Sequence, residues 1–481
     1  LGWRGASATN GQDGLAILIR VIEMKRMQLA LMAFSLCSSL FAQEPKPIEL
    51  TLYPRAIETP ALKYRLYPTE AERKPGNAAT ILLRLPWEQS SYLASDAFRT
   101  LREWESRPLT DPRWPNFSRA FPRNFYNEIK RAAFRRDASW EYPIGEVPAI
   151  AILLPDVGGL REFVGYGVAG TARYHLSRHE LDKARESIVV GLSNANHLAQ
   201  TPFFVNQLVA AAVCRLMFAC TDELIAQPES PNLYWALTAL PDSLLELKRA
   251  ANFESTIFEM TFHVGKDFGR PIDADEWKTM SAQLVELLQF ESNSPNEVID
   301  GGDVMRMTKI AREELPGLDR ISADKVTAMS DAEVFVRWYM RVRANYEQKV
   351  AVVLSLAPHD ALPRLKELRA EMESLHRRAN SDVIDPTQVY MVTWNLNRKV
   401  AALRVIEAIR DYSATHAGRL PSSLADIQGV PVPVDPISGQ PFAWTVKDEV
   451  GILSGPDLAI DADLSESATQ ATYLEYRLRV D

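Results

Sequence analysis

The chain has 481 residues, an apolar fraction of 46%, a charged fraction of 24% and a formal net charge of −8. That length and balance suit a folded protein of several domains, each with its own core. The acidic balance, without any run of basic residues, excludes nucleic acid as the main partner.

Residues 1–23 carry no pattern that prepares for the basic and apolar stretch after them, and we read them as translated upstream sequence with Met24 as the start. Met24-Lys25-Arg26 is basic, the stretch through Phe34 to Cys37 is apolar, and Ser38-Ser39 and Ala42 are small. That order predicts a secretory signal peptide over residues 24–42. The apolar run is shorter than the roughly 20 residues of a membrane span, so the mature chain is expected to have none. Its expected location is the periplasm or cell envelope, with protein partners there.

Residues 43–148 are rich in proline and aromatic residues. Leu50-Thr51-Leu52-Tyr53 and the stretch from Leu62 to Tyr67 alternate like short strands or pinned extended segments, Pro75-Gly76-Asn77 reads as a turn, and a helix is expected from Ala78. Trp104, Trp114, Phe117, Phe121 and Phe125 interleave with arginines over short helices, and packing is their expected task.

Residues 149–385 read as helical hairpins. Ser177-Arg178-His179-Glu180 has the form of a capping box, followed by Leu181, Ala184, Ile188, Leu192, Ala195 and Leu198 at helical spacing. The helix from Phe204 is apolar almost all round and holds Cys214 and Cys220, which lie about 240° apart on it and cannot bridge. Ser230-Pro231 is expected to cap a short helix, and further helices should start near Asp273, Asp303 and Ser330. The hairpin over residues 160–199 loosely resembles a tetratricopeptide unit, with no second copy at that period.

Three patterns in this part bear on chemistry. Gly165-Tyr166-Gly167-Val168-Ala169-Gly170 spells a dinucleotide fingerprint, but no strand precedes it, so the glycines are expected to allow close helix approach. His175 and His179, four apart, would suit zinc if a third ligand joined them. Glu367, Glu371 and Glu373 alternate with Lys366 and Arg369 as a solvated helix face.

Residues 386–481 open on Asp385-Pro386 and a long helix expected to end near His416-Ala417-Gly418. Beyond it come Leu420-Pro421-Ser422-Ser423-Leu424, Asp435-Pro436…Gly439-Gln440-Pro441-Phe442 and Ile452-Leu453-Ser454-Gly455-Pro456-Asp457. This succession resembles the globular part of type II secretion pseudopilins, where a helix leads through GxLPxSLxxL to DPxGxPFxY and a strand ending in SGPD. The resemblance implies an α+β module and a calcium-holding aspartate loop, to which Asp457, Asp461 and Asp463 correspond. Those proteins polymerise through an apolar N-terminal helix, whereas the helix here is polar around Asn395, Asn397 and Lys399. Pro60 to Leu66 and Gly76 to Ala79 also resemble a family of exported bacterial proteins of unknown function.

The expected fold is mainly α: an irregular, solenoid-like helical-hairpin array with a proline-rich extended N-terminal region and a small pseudopilin-like α+β module. The expected role is a non-enzymatic scaffold or binding protein, with no catalytic residues or cofactor assigned. The alternatives are an envelope secretion or pilus-like component, and an enzyme whose site residues lie far apart in sequence.

Overall fold

A computed structural model describes residues 46–93, 95–141, 159–256, 271–291, 298–379, 385–456 and 473–481. The expected signal peptide and Asp457, Asp461 and Asp463 lie outside these residues. The described chain is mainly helical, with a small sheet built by its two ends. Among the described residues no helix is long and apolar enough to cross a membrane.

Strand β1 (Ile48–Leu52) opens the structure, and the chain from Pro54 to Tyr67 then runs without regular structure. The stretch from Leu62 to Tyr67, expected as a short strand or a pinned extended segment, is a series of turns and bends, with proline on either side at Pro60 and Pro68. Pro75-Gly76-Asn77, expected as a turn, lies in β2 (Lys74–Asn77), paired parallel with β3 (Arg135–Asp137). Gly76 has φ +120°, and Asn77 caps α1 (Ala78–Glu88) by accepting from the Ala79 N–H. The Asn77 amide also exchanges hydrogen bonds with the Ser139 backbone, at 2.7 and 2.9 Å.

Short helical turns and α2 (Arg123–Ala133) carry the aromatic residues inward. Trp104, Trp114, Phe117, Phe121 and Phe125 are all buried. Their rings lie at mostly tilted or edge-to-face angles, with centroids 5–6 Å apart as such pairs prefer.

A π-helical turn, Arg161–Gly167, runs directly into α3 (Val168–Leu176), and α4 (Leu181–Ala199) and α5 (Phe204–Ile225) complete a packed layer. The capping box expected at Ser177 does not form. Ser177 closes α3, its hydroxyl donates to Tyr174 O at 2.8 Å, and His179 turns left-handed at φ 57° before α4 begins. The helix expected at Ser230-Pro231 likewise starts later, at Tyr234, with Asn232 accepting from the Tyr234 N–H at 3.0 Å.

A second group comprises α6 (Leu247–Glu254), α7 (Ala274–Glu291), α8 (Gly301–Asp319), α9 (Ala323–Ala328), α10 (Asp331–Val353) and α11 (Pro358–Ala379). Asp300 and Asp303 form a reciprocal capping box on α8, and Ser330 accepts from the Glu333 N–H on α10. The long helix α12 (Pro386–Thr415) starts behind Asp385, as its Asp-Pro pair predicts.

The final elements are β4 (Ala443–Lys447), β5 (Val450–Ser454) and β6 (Glu475–Val480). The sheet order is β1-β6-β5-β4, with β1 parallel to β6 and the other pairs antiparallel. Leu50 and Leu478 pair across the strands that join the two ends of the chain, and both are buried.

Two apolar clusters result. One joins the aromatic layer, α2 to α5, the sheet and the second half of α12, including Ile406 and Ile409. The other joins α6 to α11 and the start of α12 through Val389, Tyr390 and Met391. The long helix therefore belongs to both cores.

Candidate functional site

The densest buried charge lies along α12. Arg398, 3% exposed, donates from Nε to Asp435 Oδ2 at 2.5 Å, and Asp435 is fully buried. Asp435 Oδ1 accepts from the backbone N–H groups of Ile437 and Ser438 at 2.7 and 3.3 Å, while its backbone carbonyl closes the turn by accepting from the Gly439 N–H. Arg398 Nη2 also reaches the Pro456 carbonyl at 3.1 Å, and a Cβ on Gly455 would meet that nitrogen at 1.9 Å. One arginine thus gathers both the Asp-Pro turn and the Gly455-Pro456 segment that leaves β5. Burial lowers its pKa, and Asp435 acts in the opposite sense.

The neighbouring Lys399 sits in a second buried group. Its ammonium donates to Asp222 Oδ2 at 2.6 Å and to the Tyr476 hydroxyl, and the tyrosine donates to Asp222 Oδ1 at 3.0 Å. Burial pushes Asp222 and Tyr476 up, and the lysine charge opposes this for the aspartate. Three elements, α5, α12 and β6, meet at this triad.

Three turns along, Arg410 is fully buried with Glu407, at 2.8 Å. It also donates to the carbonyls of Tyr53, Pro231 and Ser230 at 3.1, 3.3 and 2.9 Å. Asn232 bridges the Arg55 and Glu407 carbonyls, which ties the N-terminal extended segment onto the same helix. Ser230 and Pro231, expected as a helix cap, serve here as arginine acceptors. The one local signal in sequence is Arg410, a charge within the apolar run that includes Leu403, Val405, Ile406 and Ile409.

The zinc candidates His175 and His179 lie on either side of the turn that ends α3. His175 Nδ1 lies 2.6 Å from Glu180 Oε2 at the end of α3, whereas His179 is exposed on the left-handed turn. Burial lowers the His175 pKa against the opposing pull of Glu180. Among the described residues no group of three His, Cys, Asp or Glu side chains is placed to hold a metal ion. The fingerprint glycines sit in helix, not in a strand-to-helix turn. A Cβ on Gly167 would meet Phe121 at 2.4 Å, and one on Gly170 would meet Phe117 at 2.4 Å, so close packing demands glycine there. Cys214 and Cys220 are buried free thiols whose pKa values burial raises.

A cavity of about 310 Å³ opens between the extended N-terminal segment and the first turns of α4. Arg65, Tyr67, Glu72, Phe134, Arg185 and Val189 line it. Tyr67 is held by a 2.9 Å bond from its hydroxyl to Asn196 Oδ1, and Arg185 Nη1 donates to the Arg65 carbonyl at 3.0 Å. Sequence reasoning did not find this cavity, because its walls come from segments far apart in the chain.

No family model, curated protein or solved structure matches this chain.

Proposed function

We propose that this protein is an exported, non-enzymatic scaffold that presents its helical surface and its C-terminal α+β module to protein partners in the cell envelope. The module keeps the order of a pseudopilin globular part: a long helix, an Asp-Pro turn, a hairpin and a last strand. The observation that carries the scaffold reading is the double burial of α12. Its first turns are packed in the α6–α11 core through Val389, Tyr390 and Met391, and its later turns belong to the other core, with α2 to α5 and the sheet. Among the described residues the large apolar side chains of this helix are buried or half-buried, which favours a fixed platform over a pilus-like subunit.

The buried charges support the same reading. The groups along α12 are spent on one another and on backbone carbonyls, as in structural clamps. The helix pairs α3–α4, α4–α5, α8–α10 and α10–α11 make broad neighbouring contacts that suit an irregular hairpin array.

The test is cross-linking in cells with the full chain, followed by fractionation. The scaffold reading expects a processed N-terminus after the signal peptide and discrete cross-links to envelope proteins. A chain retained in the cytoplasm with Met24 intact, or one that assembles into fibres, contradicts it.

A further inference from the structure

The cavity beside α4 carries an unspent donor capacity. Its acidic side chains are engaged. Glu72 Oε2 accepts from both the backbone N–H and the hydroxyl of Thr69 at 2.8 Å, Glu186 pairs with Lys130, and Asp182 faces Arg185 at 3.6 Å. Among the cations, Lys183 lies 3.3 Å from Glu180. The Arg65 guanidinium, by contrast, makes no hydrogen bond among the described residues, although its charge helps to hold the Glu72 carboxyl below its usual range. Arg185 uses its terminal nitrogens, but its buried Nε has no acceptor. An arginine whose planar fork has no hydrogen-bonded partner, beside the positive charge of Arg185, suits an oxyanion. The remaining wall is apolar or aromatic at Tyr67, Phe134 and Val189, and the volume is at the small end for ligand sites.

We propose that this cavity binds a small organic oxyanion, its carboxylate or phosphate held by Arg65 and its apolar part laid against Tyr67 and Phe134. The site stands apart from the α12 clamps and does not depend on export or on the C-terminal module. Carboxylates and phosphate monoesters share the recognising chemistry, and the probes separate them.

The experiment is isothermal titration of the full chain with phenylacetate, phenyl phosphate and inorganic phosphate at low salt. At least one aromatic probe is expected to bind saturably at one site and more tightly than inorganic phosphate; whichever aromatic probe is tighter identifies the source. Arg65→Gln should weaken that binding about tenfold or more, the loss expected for a charge-assisted pair. Its thermal unfolding should match the parent, because the guanidinium holds no structural bond, and Lys447→Gln on the distant strand β4 should bind as the parent does. Absence of saturable binding by both aromatic probes, or unchanged affinity in Arg65→Gln, overturns the site. Equal affinity for inorganic phosphate and phenyl phosphate overturns the aromatic wall.

Discussion

Arg398 and Asp435 form a salt bridge sealed from solvent, with 2.5 Å between Nε and Oδ2, and this bond fixes the C-terminal turns to the middle of the long helix. Breaking one partner of such a pair leaves the other as an uncompensated buried charge. Arg398→Met and Asp435→Ala should therefore each cost about 3–5 kcal/mol in urea unfolding of the full chain. The double variant Arg398→Met with Asp435→Ala should cost less than the two single changes together. Additive losses would show that the two residues act independently.

Lys399 and Tyr476 are predicted to differ in weight. Lys399→Met leaves Asp222 buried without its counter-charge and should destabilise by about 3–5 kcal/mol. Tyr476→Phe removes one hydrogen bond but keeps the lysine–aspartate pair, and should cost about 1–2 kcal/mol. Urea midpoints of the two variants check the order, and equal losses would contradict it.

The helix glycines give a packing prediction. Gly167→Ala and Gly170→Ala force a methyl group into the Phe121 and Phe117 rings and should cost about 1–3 kcal/mol each. Gly317 in α8 has open space around it, so Gly317→Ala should stabilise by about 0.5–1 kcal/mol. Thermal melts of the three variants measure both signs.

His197 gives a pH prediction. Its ring nitrogens are buried without hydrogen-bond partners, and burial, helped by the nearby Arg73 charge, lowers its pKa from 6.5 to about 4. The unfolded chain takes up a proton near pH 6.5 that the native histidine refuses until about pH 4. Native stability is therefore lost as pH falls through that window, by at most about 3 kcal/mol. Asp222, Glu223 and Glu407 are pushed up by burial and act in the opposite sense. The histidine's share is thus the difference between parent and His197→Gln in urea unfolding at pH 4.5 and 7. A difference that does not change with pH would contradict the assignment.

The helices were legible where the period was strong. The apolar face of α4, the all-round apolar α5 and the Asp-Pro start of α12 appear in the sequence as they do in the fold. The Asp435 turn was legible too, because aspartate, proline and glycine at fixed offsets have few other conformations. What stayed hidden depends on residues distant in the chain. The pairing of β1 with β6 has no local signature, since an alternating strand does not name its neighbour. The end of α3 was misread because Ser177 and Glu180 fit a capping box by spacing, while the left-handed His179 makes the segment a helix stop. Arg398 lies in a stretch that reads as polar, and its partner only emerges when the Asp-Pro turn folds back.

The central claim is that the C-terminal module and the helical body form one unit through α12. Hydrogen exchange of the full chain under native conditions tests it directly. Amides of β1, β6 and both halves of α12 should exchange through the same opening, with free energies that fall together as urea is added. Exchange of β4, β5 and β6 through a separate opening of lower free energy, with the helices still protected, would contradict the account.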